Sequence, residues 1–305
     1  FHNHDLLMQA LLDGRAKDLA AIGRIGKDKP IMIIASGPSL DQALPLLKDW
    51  PYPIMVSTSH AATCIYYGRE PEYIVALDPD SNAEELDADT WEGRKSTLIL
   101  QPGINPDLVE FWRGPMFLFR KLQPQTPFYD GVQKIGYSTL GKKVNNRYTG
   151  EDVEIMITCQ IPMLGCVLAA QICLAKQMGF DRIYMVGADF QYSRFARWQF
   201  RDGQWIENAP LPMKEALRRW EENEMPPNTG ERIIQLPSGL YTTPMTVFYC
   251  HQVVTAWRIT ECDIINCSPE SALTIMPQAD IAEVIRKEGK EIKGMSKPDI
   301  IETSE

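Results

Sequence analysis

The sequence is poor in histidine, with four residues in 305, and its seven cysteines include no Cys-x-x-Cys pair. Such a set does not readily assemble a zinc framework, and an odd number of scattered cysteines fits reduced thiols better than a disulfide scaffold. No apolar run approaches the roughly 20 residues needed to cross a bilayer, so no membrane span is expected. No charged-then-apolar leader opens the chain at Phe1, and a cytoplasmic location is the expectation. Basic residues are outnumbered: Lys+Arg 31 against Asp+Glu 40 gives a net charge of −9. A broad basic face for nucleic-acid backbones is therefore lacking and DNA is not an expected partner, although a pocket for one nucleotide remains possible. Also missing are Gly-x-Gly-x-x-Gly, Gly-x-x-x-x-Gly-Lys-Ser/Thr and Gly-x-Ser-x-Gly. Conventional dinucleotide-binding dehydrogenases, P-loop kinases and α/β-hydrolases lose their support with them.

What the chain does have is alternation. With 44% hydrophobic and 23% charged residues its composition is that of a globular protein. Leucines and isoleucines from Asp5 to Ile25 recur at mostly helical spacing and predict a helical lead-in over residues 1–26. Short apolar runs then follow at Ile31–Ala35, Ile54–Ser57, Tyr73–Leu77, Thr97–Leu100, Met116–Phe119, Ile183–Val186 and Asp263–Asn266. Helical patterns are interspersed among them, at His60–Tyr67, Pro106–Trp112, Pro162–Met178, Thr246–Glu261 and Pro277–Lys287. Runs of this kind, bounded by turn residues, predict strands buried on both faces, hence an α/β, Rossmann-like, mostly parallel sheet with helices on both faces over residues 27–288. Residues 190–241 break the rhythm with interleaved Arg and Trp and read as an insertion, while 289–305 is polar and expected to be a mobile tail. Cys159, Cys166 and Cys173 recur every seven residues and are expected to pack along one helical stripe.

Ligands of such sheets sit at the carboxyl ends of the strands, so the strand exits hold the candidate chemistry. Ser36-Gly37-Pro38-Ser39 leaves the strand at Ile31–Ala35: Gly37 allows close approach, Pro38 fixes the turn, and Ser39 with the following amides can hold a phosphate oxygen or simply cap a helix. Ser57-Thr58-Ser59-His60 offers hydroxyls and an imidazole for a ribose, phosphate or sugar. Asp78 and Asp189 close two apolar runs and are compatible with acid–base work or Mg²⁺ binding. Asn266-Cys267-Ser268-Pro269-Glu270-Ser271 could cradle a base edge or ribose.

Three phrases carry a resemblance: Ile33-Ile34-Ala35-Ser36-Gly37-Pro38-Ser39-Leu40, Pro71-Glu72-Tyr73-Ile74-Val75-Ala76-Leu77-Asp78-Pro79, and Gly179 to Phe190 with Val186-Gly187-Ala188-Asp189. In that order they resemble the Maf-type motility accessory factors, which glycosylate flagellin, and the related 6-hydroxymethylpterin diphosphokinase MptE-like domain. They are also similar to bacterial lipooligosaccharide sialyltransferases. The resemblance implies a nucleotide-activated donor, a CMP-linked nonulosonic sugar first, and a sugar or protein acceptor. It implies a phosphate bordered by Ser36, Gly37, Pro38 and Ser39 with Gly165 close by, Asp189 near the transferred group, and Ser268 and Ser271 at the cytidine. Ser59, Tyr192 and Thr242 complete the expected nucleotide contacts, and residues 190–241 take the place of a lid. Where sialyltransferases carry a catalytic histidine this chain has Gly239-Leu240-Tyr241-Thr242-Thr243-Pro244, closer to the Maf group, so the base is sought among Asp78, Asp189 and His60. No cofactor is expected for CMP-sugar transfer. Mg²⁺ is expected if the chain instead moves pyrophosphate from ATP to a pterin alcohol, with Asp78, Asp80 and Asp189 as its ligands. A non-catalytic nucleotide-binding or interaction protein is the third alternative.

Overall fold

Apolar runs too short for helices and flanked by turn formers become strands when both of their faces can be covered. In the computed structural model seven such runs become strands of one sheet, and an eighth, polar strand completes it at the edge. The structure describes residues 7, 9–77, 86, 93–102, 104–122, 142–145, 149–155, 157–162, 164–191, 194–195, 198–201, 204–207, 211–212 and 234–295. The strands are β1 (Ala16–Asp18), β2 (Pro30–Ile34), β3 (Ile54–Ser57), β4 (Tyr73–Ala76), β5 (Thr97–Leu100) and β6 (Met116–Leu118). After β7 (Arg120–Leu122) and β8 (Gln160–Pro162), a separate parallel pair, come β9 (Arg182–Val186) and β10 (Asp263–Asn266). The large sheet has the order β1-β6-β5-β4-β3-β2-β9-β10 and is parallel throughout.

The helices are α1 (Leu40–Ala43), α2 (Thr58–Tyr66), α3 (Pro106–Phe111), α4 (Val167–Gln177), α5 (Pro244–Thr260) and α6 (Ile281–Met295). Alternate residues of each strand feed two cores. Met32, Ile34, Ile54 and Val56 pack with Leu44, Trp50, Cys64 and Val284 on one face. Ile31, Ile33, Met55 and Ile183 pack with Ile172 of α4 and Val253 of α5 on the other. The expected Rossmann-like α/β architecture is what the chain adopts. Successive strands from β2 to β6 step one way across the sheet, and β9 and β10 lie on the other side of β2. The reversal between β2 and β9 opens a crevice at the carboxyl ends, where such sheets place their ligands.

Several elements differ from the sequence-based expectation. The lead-in is not one helix: Gly14 turns the chain at φ +72°, Ala16–Asp18 adds an edge strand, and a short 3-10 helix, Leu19–Ile22, follows it. Asp18 fastens that strand by accepting from the amides of Ala20, Thr158 and Cys159 and from the Thr158 hydroxyl. The helix predicted from Pro162 starts at Val167, because Gln160–Pro162 pairs with β7 and Gly165 bends the backbone at φ +85°. Only Cys166 and Cys173 of the cysteine stripe therefore belong to the helix region; Cys159 precedes β8. The last helix extends to Met295, into the segment expected to be mobile from 289; residues 296–305 lie outside the described residues. Just before this extension the helix is anchored by Glu288, whose carboxylate is buried and accepts from the Tyr184 hydroxyl at 2.6 Å. Of the 190–241 insertion, short antiparallel pairs are described, including Trp198–Arg201 with Gln204–Glu207, and the first of these lies against α2. Among the described residues no helix is long and apolar enough to cross a membrane.

Candidate functional site

Three strand exits are stitched together at the crevice. The Gly37 amide donates to the Gly187 carbonyl at 2.7 Å, and the Ser39 amide donates to Asp189 Oδ2 at 2.9 Å. A side chain at Gly37 would put its Cβ 2.1 Å from that carboxylate oxygen, so only glycine lets the two loops meet. Gly187, at φ +69°, has the Ala35 carbonyl 2.4 Å from where its own Cβ would stand. From β10, the Ser268 hydroxyl accepts from the Ala188 amide at 2.8 Å and the Ser271 hydroxyl donates to the Ala188 carbonyl at 2.5 Å.

Beside this knot lies a cleft of about 620 Å³. Its wall includes Ser36, Gly37, Ser57, Lys121, Gly165, Cys166, Val167, Gln171, Asp189 and Thr243, with apolar surface from Ile34, Leu77, Phe190, Met245 and Tyr249. Lys121, on β7, is the only basic side chain lining it among the described residues. The β7–β8 pairing sets Lys121 opposite Ile161, a few residues before α4 begins. Helix α4 opens with Cys166 as its N-cap, whose sulfur accepts from the Ala169 amide at 3.4 Å. Burial pushes the Cys166 thiol up to about 11 despite the amides of Ala169 and Leu168, so the cap is a neutral, weak acceptor. The positive end of the helix thus faces the cleft with no anion of its own to balance it. One turn along, Gln171 is buried, lines the cleft, and leaves its Nε2 without a hydrogen-bond partner.

The expected site residues divide accordingly. Ser36, Gly37, Gly165 and Asp189 line the cleft. Pro38 and Ser39 are buried behind the turn, the Ser39 hydroxyl makes no cap bond to α1, and the amides of Gly37 and Ser39 are engaged within the protein. The turn therefore presents Ser36 and the face of Gly37 to a ligand, and not the amides of Gly37 and Ser39. Ser268 and Ser271 hold Ala188, and Thr242 donates its hydroxyl to the Phe190 carbonyl at 3.0 Å; none of the three lines the cleft. Ser59 pairs with Ser57, Oγ to Oγ 2.9 Å, and only Ser57 reaches the cleft wall. His60 is buried beneath the wall, its Nε2 2.7 Å from Ser36 Oγ. Asp78, Asp80 and Tyr192 lie outside the described residues. Lys121 and Gln171 were not expected. The Arg120-Lys121 pair directly after the Met116–Phe119 run is the signal that marks the former; Gln171 has none, since a glutamine inside an apolar helix carries no pattern.

Of the three carboxylates expected to hold magnesium, Asp189 accepts from the Ser39 amide through Oδ2, while Asp78 and Asp80 lie outside the described residues; among the described residues no three His, Cys, Asp or Glu side chains gather.

The family described as 6-hydroxymethylpterin diphosphokinase MptE-like matches over residues 7–195. The chain belongs to that family. The matched span carries the MptE-like part of the site: Ser36, Gly37, His60, Lys121, Gly165, Gln171 and Asp189 all fall inside it, whereas Thr243, Met245 and Tyr249 do not. A solved structure of a Maf glycosyltransferase from Magnetospirillum magneticum AMB-1 is similar over 96% of this chain and 42% of its own, at 13% identity and a TM-score of 0.47. The chain thus spans less than half the length of that protein. No curated protein sequence matches.

Proposed function

We propose that the chain is a transferase that seats the phosphate of a nucleotide-activated sugar between Lys121 and the start of α4 and passes the sugar to an acceptor hydroxyl. The observation that carries this reading is that the only basic side chain lining the cleft among the described residues and a helix N-terminus open onto the same space. A departing nucleotide phosphate gathers negative charge, and a fixed cation with helix-end amides stabilises that charge without rearrangement. The unpartnered Gln171 Nε2 supplies a further donor, a buried group that a polar ligand would satisfy. The apolar share of the wall, Ile34, Leu77, Phe190 and Met245, suits a base or sugar ring face. The resemblance of the three sequence phrases points to a CMP-linked, nonulosonic-type donor. This moves the phosphate seat from the Ser36–Ser39 turn to α4.

Pyrophosphoryl transfer to a pterin, the reaction in the family's description, is the competing reading. Of its expected magnesium ligands, Asp189 already accepts from the Ser39 amide through one of its two oxygens. Titration calorimetry with CMP, CDP, UDP and ATP, with and without Mg²⁺, separates the two. The expected result is magnesium-independent CMP binding that weakens about tenfold, or 1.4 kcal/mol, in Lys121→Ala and recovers in part in Lys121→Arg. No CMP binding at millimolar concentration, or binding of ATP alone and only with Mg²⁺, refutes the proposal.

A further inference from the structure

The transferase reading leaves the acceptor without a base. Asp189 is tied to the neighbouring turn, and no other carboxylate lines the cleft among the described residues. The wall does contain one hydroxyl backed by an imidazole. Ser36 leaves β2 and is exposed on the cleft; His60 sits in the first turn of α2, just after the adjacent strand β3, and is 1% exposed. Their side chains meet at 2.7 Å, Oγ to Nε2. His60 is not part of the cleft wall, so its path to a bound molecule runs through Ser36. The parallel β2–β3 register brings the two exits side by side, and the loop that carries Ser36 is held by the Gly37 and Ser39 bonds to the β9 exit. A hydroxyl fixed in this way, open on one side and bonded to a ring nitrogen on the other, is the arrangement that activates a serine.

Resting on the transferase reading above, we infer that Ser36 and His60 form the couple that takes the proton from the acceptor hydroxyl. With the ring proton on Nδ1, Nε2 accepts from the Ser36 hydroxyl. As the acceptor oxygen bonds to the sugar carbon, the bond from that carbon to the donor phosphate breaks and the nucleotide leaves with the electron pair. The acceptor proton passes to Ser36 Oγ while the Ser36 proton passes to His60 Nε2, which ends as imidazolium. Ser36 is the catalytic residue of the pair, and His60 is a positioning residue and proton store that acts through it.

The test needs no knowledge of the donor. Whole protein is treated with phenylmethanesulfonyl fluoride and the modified serines are located by peptide mass spectrometry; attack by Ser36 Oγ displaces fluoride, and its proton goes to His60. Ser36 is expected to label at least about tenfold faster than exposed Ser238, and the advantage is expected to vanish in His60→Gln. Labelling of Ser36 no faster than Ser238, or an advantage that survives His60→Gln, overturns the inference. Ser36→Ala, at an exposed position, covers the case in which His60→Gln fails to fold. With CMP-N-acetylneuraminic acid as donor and water as acceptor, CMP release is expected to fall by about 10²–10⁴-fold in kcat while calorimetric CMP binding is unchanged. The Ser36→Ala/His60→Gln double variant is expected to lose no more than the worse single one. Unchanged kcat in Ser36→Ala refutes the relay. Absence of CMP binding in the parent protein refutes the donor assignment instead and leaves the labelling result to judge the couple.

Discussion

Replacing Gly37 with alanine tests the interlocked loops directly. The added Cβ would lie 2.1 Å from Asp189 Oδ2 and 2.6 Å from the Gly187 carbonyl oxygen, and neither can swing away as a long flexible side chain would. Displacing the carboxylate breaks its 2.9 Å bond from the Ser39 amide. Losing a buried hydrogen bond to a charged acceptor costs about 1.5–3 kcal/mol, and forcing packed backbone apart costs about 1–3 kcal/mol, so Gly37→Ala should destabilise by about 3–5 kcal/mol. Gly239→Ala is the control: Gly239 has φ +83° with nothing within 4 Å of its virtual Cβ, so only backbone strain of about 1–2 kcal/mol applies. Urea unfolding followed by circular dichroism measures both. In an Asp189→Ala background the Gly37→Ala penalty should shrink without vanishing, because the Gly187 carbonyl remains in the way. If Gly37→Ala costs no more than Gly239→Ala, the close approach of the two loops is wrong and so is the placement of the cleft beside them.

Two further outcomes follow from groups outside the cleft. Burial pushes the Asp18 carboxyl up, but the bonds it accepts from Ala20, Thr158 and Cys159 outweigh this and hold it below its ordinary value. Its contribution to stability is therefore present above the unfolded value of about 3.9 and is lost as pH falls through the lower folded value. Asp18→Asn should accordingly flatten the acid limb of a plot of urea midpoint against pH, and an unchanged limb would count against the fastening of β1. Tyr184→Phe removes the donor to buried Glu288 and should cost about 1.5–3 kcal/mol, with faster hydrogen exchange over α6. Adding Glu288→Leu should restore much of that loss, and no recovery would mean the pair is not what secures the helix.

The buried strands were legible because each is a short apolar run between turn residues; Ile54–Ser57, Thr97–Leu100 and Asp263–Asn266 stand at the positions their composition indicates. Strand β1 was not, since Ala-Lys-Asp has no apolar run and is held at the sheet edge by its pairing with β6 and by the Asp18 side chain, which reaches residues about 140 positions away. The cleft was legible as a set of strand exits, which supplied Ser36, Gly37 and Asp189. What each exit residue does was not, because hydrogen-bond partners are set by tertiary structure. Ser268 and Ser271 have the composition of ligand-facing hydroxyls and instead clamp Ala188. His60 has the position of a cleft residue and instead backs one.

The bond from the Thr242 hydroxyl to the Phe190 carbonyl joins the point where the chain departs after β9 to the point where it returns before α5. Of the residues strung between, Trp198–Arg201 lies against α2, and the neck itself is shut by this bond. Lengthening the excursion costs little in closure entropy, which grows only slowly with loop size. A change of length within this one excursion is thus kept apart from the knot that joins the three strand exits.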